Sequence, residues 1–483
     1  MTTIIQTHLQ QPLVATRSTL SKAAILTALS LLVACFLLSA SDQVHAAERD
    51  CTLWFEEQIA LHNRNSLNEP WVPLNPLQLR LPNERPWVYL WKLFQQQAER
   101  LEAPQQELLD HLWFSITSLY QGERWPALLR NSDSASGDNL NTLEFCLRRV
   151  QSLHRYVADL PAAPTSDYQG YKRWIILNAI TEPMVLWQLR KELTAYQERW
   201  RKPARQAVRH YLPPEPVGNV PTPQDISRNL LGFPVPSQAA LEQLSALYAP
   251  AISVADPRNI NAIGAVQWQQ DYLAHQPGEP TVYTWPSFAH YRGHQLLQLN
   301  YQFWFQKPRD KTAAGSLSPE LSYSLWRVTL KPDGHVLFYE SVRGDGLFYA
   351  LYPASRGIAL KTGQPSALAY PHTVPNARQQ RVELLIEPDS HLVIRVTPFQ
   401  AQQQTRHYQL LPHQQLLSLA TATKHHSIYS AEAAVLGSKA SPAQAFLLGI
   451  NNFGQQRAPH RLPIGIERML YWDDPQLPEK ILQ

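Results

Sequence analysis

Glycine is scarce in this chain, with 18 residues in 483 against 39 prolines. Few glycines leave little room for backbone loops that wrap phosphate groups, and the prolines impose fixed bends instead. The Gly-x-Ser-x-Gly elbow of serine hydrolases is missing, and Gly315-Ser316-Leu317-Ser318 reads as a loop. The His-Glu-x-x-His pair of helix-borne zinc hydrolases is missing as well. Charge is nearly balanced: 43 Lys and Arg against 39 Asp and Glu give +4, too little for a nucleic-acid surface. No cofactor or metal is expected from these patterns.

What is present begins with an address. Arg17 and Lys22 precede an apolar run over residues 23–40, followed by Val44-His45-Ala46. A basic start, an apolar middle and small residues before a cut predict a secretory signal ending at Ala46. An uncleaved membrane anchor over residues 1–46 is the alternative. Leu32-Val33-Ala34-Cys35 also has the form of a lipidation site, although the chain stays apolar beyond it. In each case the positive N-terminal flank places the body in the periplasm, soluble or anchored in the inner membrane by residues 23–40. Outside this segment only Cys51 and Cys146 remain. They form a disulfide in an oxidising compartment on one reading; on the other, Cys146 is a small hydrophobe on an apolar helical stripe.

Three regions follow. Residues 47–214 carry helical periodicity, as in Trp87, Leu90, Trp91, Phe94, Ala98 and Leu101, and again in Leu186, Leu189, Leu193, Tyr196 and Trp200. Residues 215–250 are a proline-rich connector with short helices expected near 225–231 and 238–247. Residues 251–483 turn to strand patterns with short helices near the C-terminus. The expected fold class is α+β, an N-terminal helical domain followed by a mainly antiparallel β domain.

The β half is organised around residues 281–307. From Leu296 the chain alternates without a slip: Leu297, Leu299, Tyr301, Phe303 and Phe305 on one side, Gln298, Asn300, Gln302 and Trp304 on the other. Residues 281–285 read as the partner strand, with Arg292-Gly293 near the turn. Two further hairpins are expected around Pro332-Asp333-Gly334 and Pro388-Asp389-Ser390. Gln298, Asn300, Gln302 and Trp304, with Arg292 near the turn and Arg327 on a nearby hairpin, offer amides, guanidinium groups and an aromatic plate. Such sets bind sugars and peptides. The competing reading packs this face against the helical domain with its amides satisfied internally.

Arg292-Gly293, Leu297-Gln298-Leu299-Asn300-Tyr301, Trp304-Phe305, Trp326-Arg327-Val328-Thr329-Leu330, Tyr339-Glu340-Ser341 and Asp473-Asp474-Pro475 together resemble a family of uncharacterised proteobacterial envelope proteins. The resemblance covers residues 281–474 and brings no assigned activity. It implies a cysteine- and histidine-rich cluster after the Tyr-x-Ser element, but residues 343–349 here contain neither type.

Other residues are weighed against plainer roles. His290 and His294 could converge on a metal or simply flank a turn. Asp333 with His335, and Asp389 with His391, could form acid–base pairs or simple turn caps. Lys424-His425-His426 is an isolated loop run, and Arg343-Gly344-Asp345 spells an adhesion tripeptide but suits a tight turn. Arg201, Arg205 and Arg209 form a basic cluster that could meet lipid head groups or an acidic partner, or simply sit at a helix end. The functional expectation is a non-catalytic envelope protein that binds a protein or glycan partner. The alternative is an extracytoplasmic hydrolase acting on envelope or glycan material, its site assembled without a motif.

Overall fold

The computed structural model describes residues 181–201 and 208–483, apart from gaps at 229–230, 256–260, 271, 307–320, 362–366, 402–404, 422–424, 431–432, 441–453 and 465–469, together with residues 85, 86, 89, 92, 93 and 96. Helix α1 (Thr181–Arg199) buries Leu193 and Tyr196, and Trp200 in the turn just past its end continues the same three-and-four stripe. Strand β1 (Val208–Leu212) follows. Helix α2 (Gln238–Tyr248) is started by Ser237, whose Oγ accepts the Ala240 N–H at 3.2 Å. Pro250 cannot continue it, and the chain enters β2 (Ala251–Ala255).

A small hairpin, β3 (Ala265–Gln269) and β4 (Tyr272–Gln276), leads to a long antiparallel meander. Its strands are β5 (Thr281–Tyr291), β6 (His294–Gln306), β7 (Leu321–Leu330), β8 (Val336–Arg343) and β9 (Tyr349–Pro353). The β5–β6 turn holds only Arg292 and Gly293, at φ 50° and 78°, the left-handed pair that matches strand twist in a two-residue hairpin. At the β7–β8 turn, Asp333 Oδ1 accepts the His335 N–H at 2.9 Å. After β10 (Ala367–Ala369), the strands β11 (Val382–Ile386) and β12 (Val393–Pro398) form the second expected hairpin. Strands β13 (Thr405–His407) and β14 (Gln409–Pro412) precede an irregular C-terminal stretch that ends in α3 (Leu477–Ile481).

Two sheets result. The larger has the order β10-β9-β8-β7-β6-β5-β14 and the smaller β12-β11-β2-β1-β13. One core lies between them, where Leu297, Leu299, Tyr301, Phe303 and Phe305 of β6 meet Ile252, Val254, Val382 and Leu384, joined by the buried stripes of α1 and α2. A second core lies on the other face of the larger sheet. There Leu296 and Trp304 of β6 meet Ile428, Tyr429, Leu462, Trp472, Leu477 and Ile481 of the C-terminal stretch.

The α+β expectation is overturned. The described residues are 43% strand and 17% helical with 3 α-helices, and they show no helical domain. Most of residues 47–214 lie outside the described residues, as do Cys51, Cys146, Arg205 and the N-terminal address. Within that range β1 is a strand, so Arg209 is not at a helix end. The physical cause is pairing: β1 is held antiparallel by β2 and parallel by β13, whose Thr405 lies opposite His210. A five-residue segment stabilised by such distant neighbours shows no readable period of its own. Residues 225–228 form turns and a bridge from Arg228 to Pro234 in place of a helix. Parallel pairs also join β2 to β11, β5 to β14 and β9 to β10, so both sheets are mixed.

Candidate functional site

The polar face of β6 is closed. Gln298 and Arg327 are 2% exposed, and Asn300, Gln302 and Trp304 are 0% exposed. Register explains how the polar groups find one another. Ser287, Gln298 and Thr329 lie opposite one another across β5, β6 and β7; Trp285, Asn300, Arg327 and Glu340 form the next row, across β5 to β8. Gln298 Nε2 donates to Thr329 Oγ1 and its Oε1 accepts from Ser287 Oγ, both at 3.0 Å. Asn300 Nδ2 donates to Ser287 Oγ at 2.8 Å and the Trp285 carbonyl at 3.2 Å.

Arg327 is the centre of this face. Its Nε and Nη2 reach the two oxygens of Glu340 at 2.7 and 2.6 Å, and Nη1 donates to the Trp472 carbonyl at 2.6 Å. The guanidinium also lies 3.8 Å from the Trp472 ring centroid. Tyr349 donates to Glu340 at 2.8 Å, and burial, then the carboxylate, holds its phenol well above the usual range. At the β14 end, Gln302 approaches Tyr429, whose hydroxyl lies 3.2 Å from His413 Nε2. Burial, then the charge of His460, lowers His413 to about 3. A buried, bidentate pair of this kind ties the C-terminal stretch to the sheet and offers a ligand no entrance from solvent.

The remaining sequence candidates separate. Arg292 is at the β5–β6 turn, exposed, with Nη2 donating to the Gln483 carbonyl at 3.1 Å. Far from the Arg327 row, it belongs to the docking of α3. Tyr291 pairs with His294 and His290 with Gln295, so strand alternation sends the two histidines to opposite faces. Among the described residues no group of three metal-binding side chains occurs. His335 is half-buried, its Nδ1 3.3 Å from Asp333. His391 is buried and stacked on Phe305 at 4.3 Å. Arg343 and Asp345 grip each other at 2.6 to 3.0 Å, and a Cβ at Gly346 would meet the Pro463 carbonyl at 1.8 Å. The tripeptide is therefore a packed turn.

Two features escaped sequence reading. His210 on β1, Ser253 on β2 and Glu383 on β11 meet on the outer face of the five-stranded sheet. Ser253 Oγ is 2.7 Å from His210 Nδ1 and donates to Glu383 Oε1, which lies 3.4 Å from the same Nδ1. These residues are 43 and 130 positions apart, and only the β1–β2–β11 register brings them together. The other feature is the outer side of α1. Trp187 is 62% exposed with Lys191 Nζ 5.5 Å from its ring, and Arg190 and Arg201 are exposed nearby in the chain. A strong helical period points to the buried stripe and is silent about which outward residue is an anchor. No family model, curated protein or solved structure matches the chain.

Proposed function

We propose that the chain is a binding or assembly component of the bacterial cell envelope, non-catalytic in that role, and that it engages an acidic protein partner through the outer side of α1. The observation that carries this is Trp187, a large ring 62% exposed on a helix whose opposite side is pinned by Leu193, Tyr196 and Trp200. Trp187, Arg190 and Lys191 fall on the outward three-and-four spacing, with Glu198 the acid among them and Arg201 exposed in the turn just past the helix end. Tryptophan and arginine are the residue types that most often anchor protein interfaces, and the cations select an acidic counterpart. The envelope location is supported by the N-terminal basic and apolar segments. Among the described residues no helix is long and apolar enough to cross a membrane.

A glycan partner on Gln298, Asn300, Gln302, Trp304 and Arg327 would require displacement of the C-terminal stretch, which makes protein binding the better-supported form. The second reading, an extracytoplasmic hydrolase, has one observation in its favour, the contact of Ser253 with His210 and Glu383. A photo-reactive side chain at position 187, in the full chain expressed in cells, tests the binding role. One discrete cross-linked adduct in the envelope fraction is expected, lost when Arg190 and Lys191 are both changed to Glu. No adduct, or one that survives charge reversal, removes the role of α1.

A further inference from the structure

We infer that Ser253 is an activated nucleophile that accepts the acyl group of a small carboxylic ester, with Glu383 as its base and His210 as a positioning residue. This inference rests on the hydrolase reading and is independent of the binding role of α1. It starts from the sheet. Tyr211, Ile252, Val254 and Leu384 point into the core, so the alternate residues His210, Ser253 and Glu383 must point outward. Ser253 is the buried floor of the cluster at 2% exposure, while the side chains of His210 and Glu383 keep 18% and 13% as its rim. On the same strand and face its neighbours are Ala251 and Ala255, which carry no atom beyond Cβ and leave the hydroxyl the longest group on that face of β2.

The protons follow from donor and acceptor rules. An ionised carboxylate only accepts, so the Ser253 hydroxyl donates to Glu383. With that proton committed, His210 supplies an Nδ1–H to Ser253 Oγ at 2.7 Å, and Glu383 at 3.4 Å from Nδ1 favours this tautomer. A nucleophile in contact with a base, and the base fixed by a third group, is the arrangement that activates a hydroxyl. The order differs from the familiar triad, because the carboxylate and not the imidazole takes the serine proton.

In the first step Ser253 Oγ bonds to the ester carbonyl carbon and its proton passes to Glu383. The carbon–oxygen bond to the alcohol then breaks, and the alcohol leaves with the proton from Glu383. Water attacks the acyl-serine, giving its proton to Glu383; cleavage returns a carboxylic acid and the Ser253 hydroxyl, reprotonated by Glu383. No oxidant or metal is needed. Short acyl groups are expected, since Ala251, Ser253 and Ala255 are each only 2% exposed and Leu385 lies opposite Ser253, which leaves little room beside the hydroxyl.

A fluorophosphonate probe applied to the intact protein, read by intact mass and peptide mapping, decides the matter. One phosphonyl adduct on Ser253 is expected, with fluoride released. Glu383→Gln, which keeps the shape, should slow labelling at least about tenfold, while His210→Asn, which keeps a donor, should slow it less. Thermal melts by circular dichroism confirm that each variant is folded. Absence of a Ser253 adduct in the wild-type protein, or a rate unchanged in folded Glu383→Gln, overturns the inference. Hydrolysis of p-nitrophenyl acetate separates the two ideas: turnover that persists in Ser253→Ala keeps a hydrolase but removes Ser253 as its nucleophile.

Discussion

The two faces of β6 are equally buried and are built from opposite chemistry. One presents Leu297, Leu299, Tyr301, Phe303 and Phe305 to a second sheet; the other presents Gln298, Asn300 and Gln302, flanked by Arg327 of β7, to an irregular C-terminal stretch. The difference lies in what each side must satisfy. A facing sheet has its backbone hydrogen bonds already made within its own ladder, so aliphatic and aromatic side chains pack against it without polar cost. An irregular segment leaves backbone groups unpaired, and a buried unpaired carbonyl is costly. Accordingly Arg327 supplies a donor to the Trp472 carbonyl and Tyr323 one to the Arg457 carbonyl, while Gln456 accepts the Tyr323 N–H. Amides and a guanidinium on a strand therefore need not announce a ligand. They also suit a strand that will be covered by chain without regular structure.

The largest expected effect separates these two modes of burial. Arg327→Ala leaves Glu340, which is 0% exposed, without its charge partner and with only the Tyr349 hydroxyl, and should cost about 3–5 kcal/mol. Leu299→Ala on the opposite face should cost about 2–5 kcal/mol through lost transfer energy and a cavity. Urea midpoints at constant slope measure both. The double change Arg327→Met with Glu340→Leu then sharpens the contrast. It removes both charges together and should recover most of the loss, whereas no second substitution of similar chemistry can refill the Leu299 cavity. An Arg327→Ala cost below about 1 kcal/mol, the range of exposed pairs, would mean that the C-terminal stretch does not seal this face.

Acid should act on one side of the sheet before the other. His275 on β4 lies against the Trp304 carbonyl at 3.2 Å, and burial lowers it to about 4. His413 is lowered to about 3 and has the Trp285 ring at 4.6 Å, with the Tyr429 hydroxyl as its polar contact. Both folded values lie below the ordinary value of 6.5, so the unfolded chain binds more protons. Their stabilisation is present above pH 6.5 and is lost as pH falls from there toward the folded values. Between pH 7 and pH 5 each should cost about 2 kcal/mol. Hydrogen exchange by mass spectrometry should show peptides from 413–430 opening at pH 5 ahead of those from 382–398. Equal opening of both would break the distinction, and His413→Gln should flatten the pH dependence by about half.

Much of the β half was legible because its signals are local. The period of two in β6, the two-residue turn at Arg292 and Gly293, and the hairpins after Pro332 and Pro388 depend on neighbours within a few positions. The candidate set on the even face was legible as a polar stripe, and so was the possibility that its amides are satisfied inside. What covers it was not, because Trp472 reaches Arg327 from 145 positions away and has no pattern that points there. Strand β1 failed for the same reason, its short run of Val208, Arg209 and His210 being fixed by β2 and β13. The cluster of Ser253 was invisible in principle: its three residues come from three strands, and each is ordinary where it stands.

The smallest expected effects set two neighbouring residues of β6 against each other. Tyr301 on the apolar face donates to the Ser245 carbonyl near the end of α2 at 2.9 Å. Tyr301→Phe removes that donor and leaves a buried carbonyl short of a partner, a loss of about 1 kcal/mol. Gln302 on the polar face has only a 3.4 Å contact with the Tyr429 hydroxyl, and its Oε1 has no partner. Gln302→Met keeps length and volume and deletes an unsatisfied acceptor, while Tyr429 retains His413 at 3.2 Å. It should therefore be neutral to within about 0.5 kcal/mol, or slightly stabilising, in the same urea titration. The apolar face would then be the one that depends on its single polar bond, and the polar face the one that tolerates losing one. A Gln302→Met cost above that of Tyr301→Phe would reverse this order and show that the Gln302–Tyr429–His413 chain acts as one connected network.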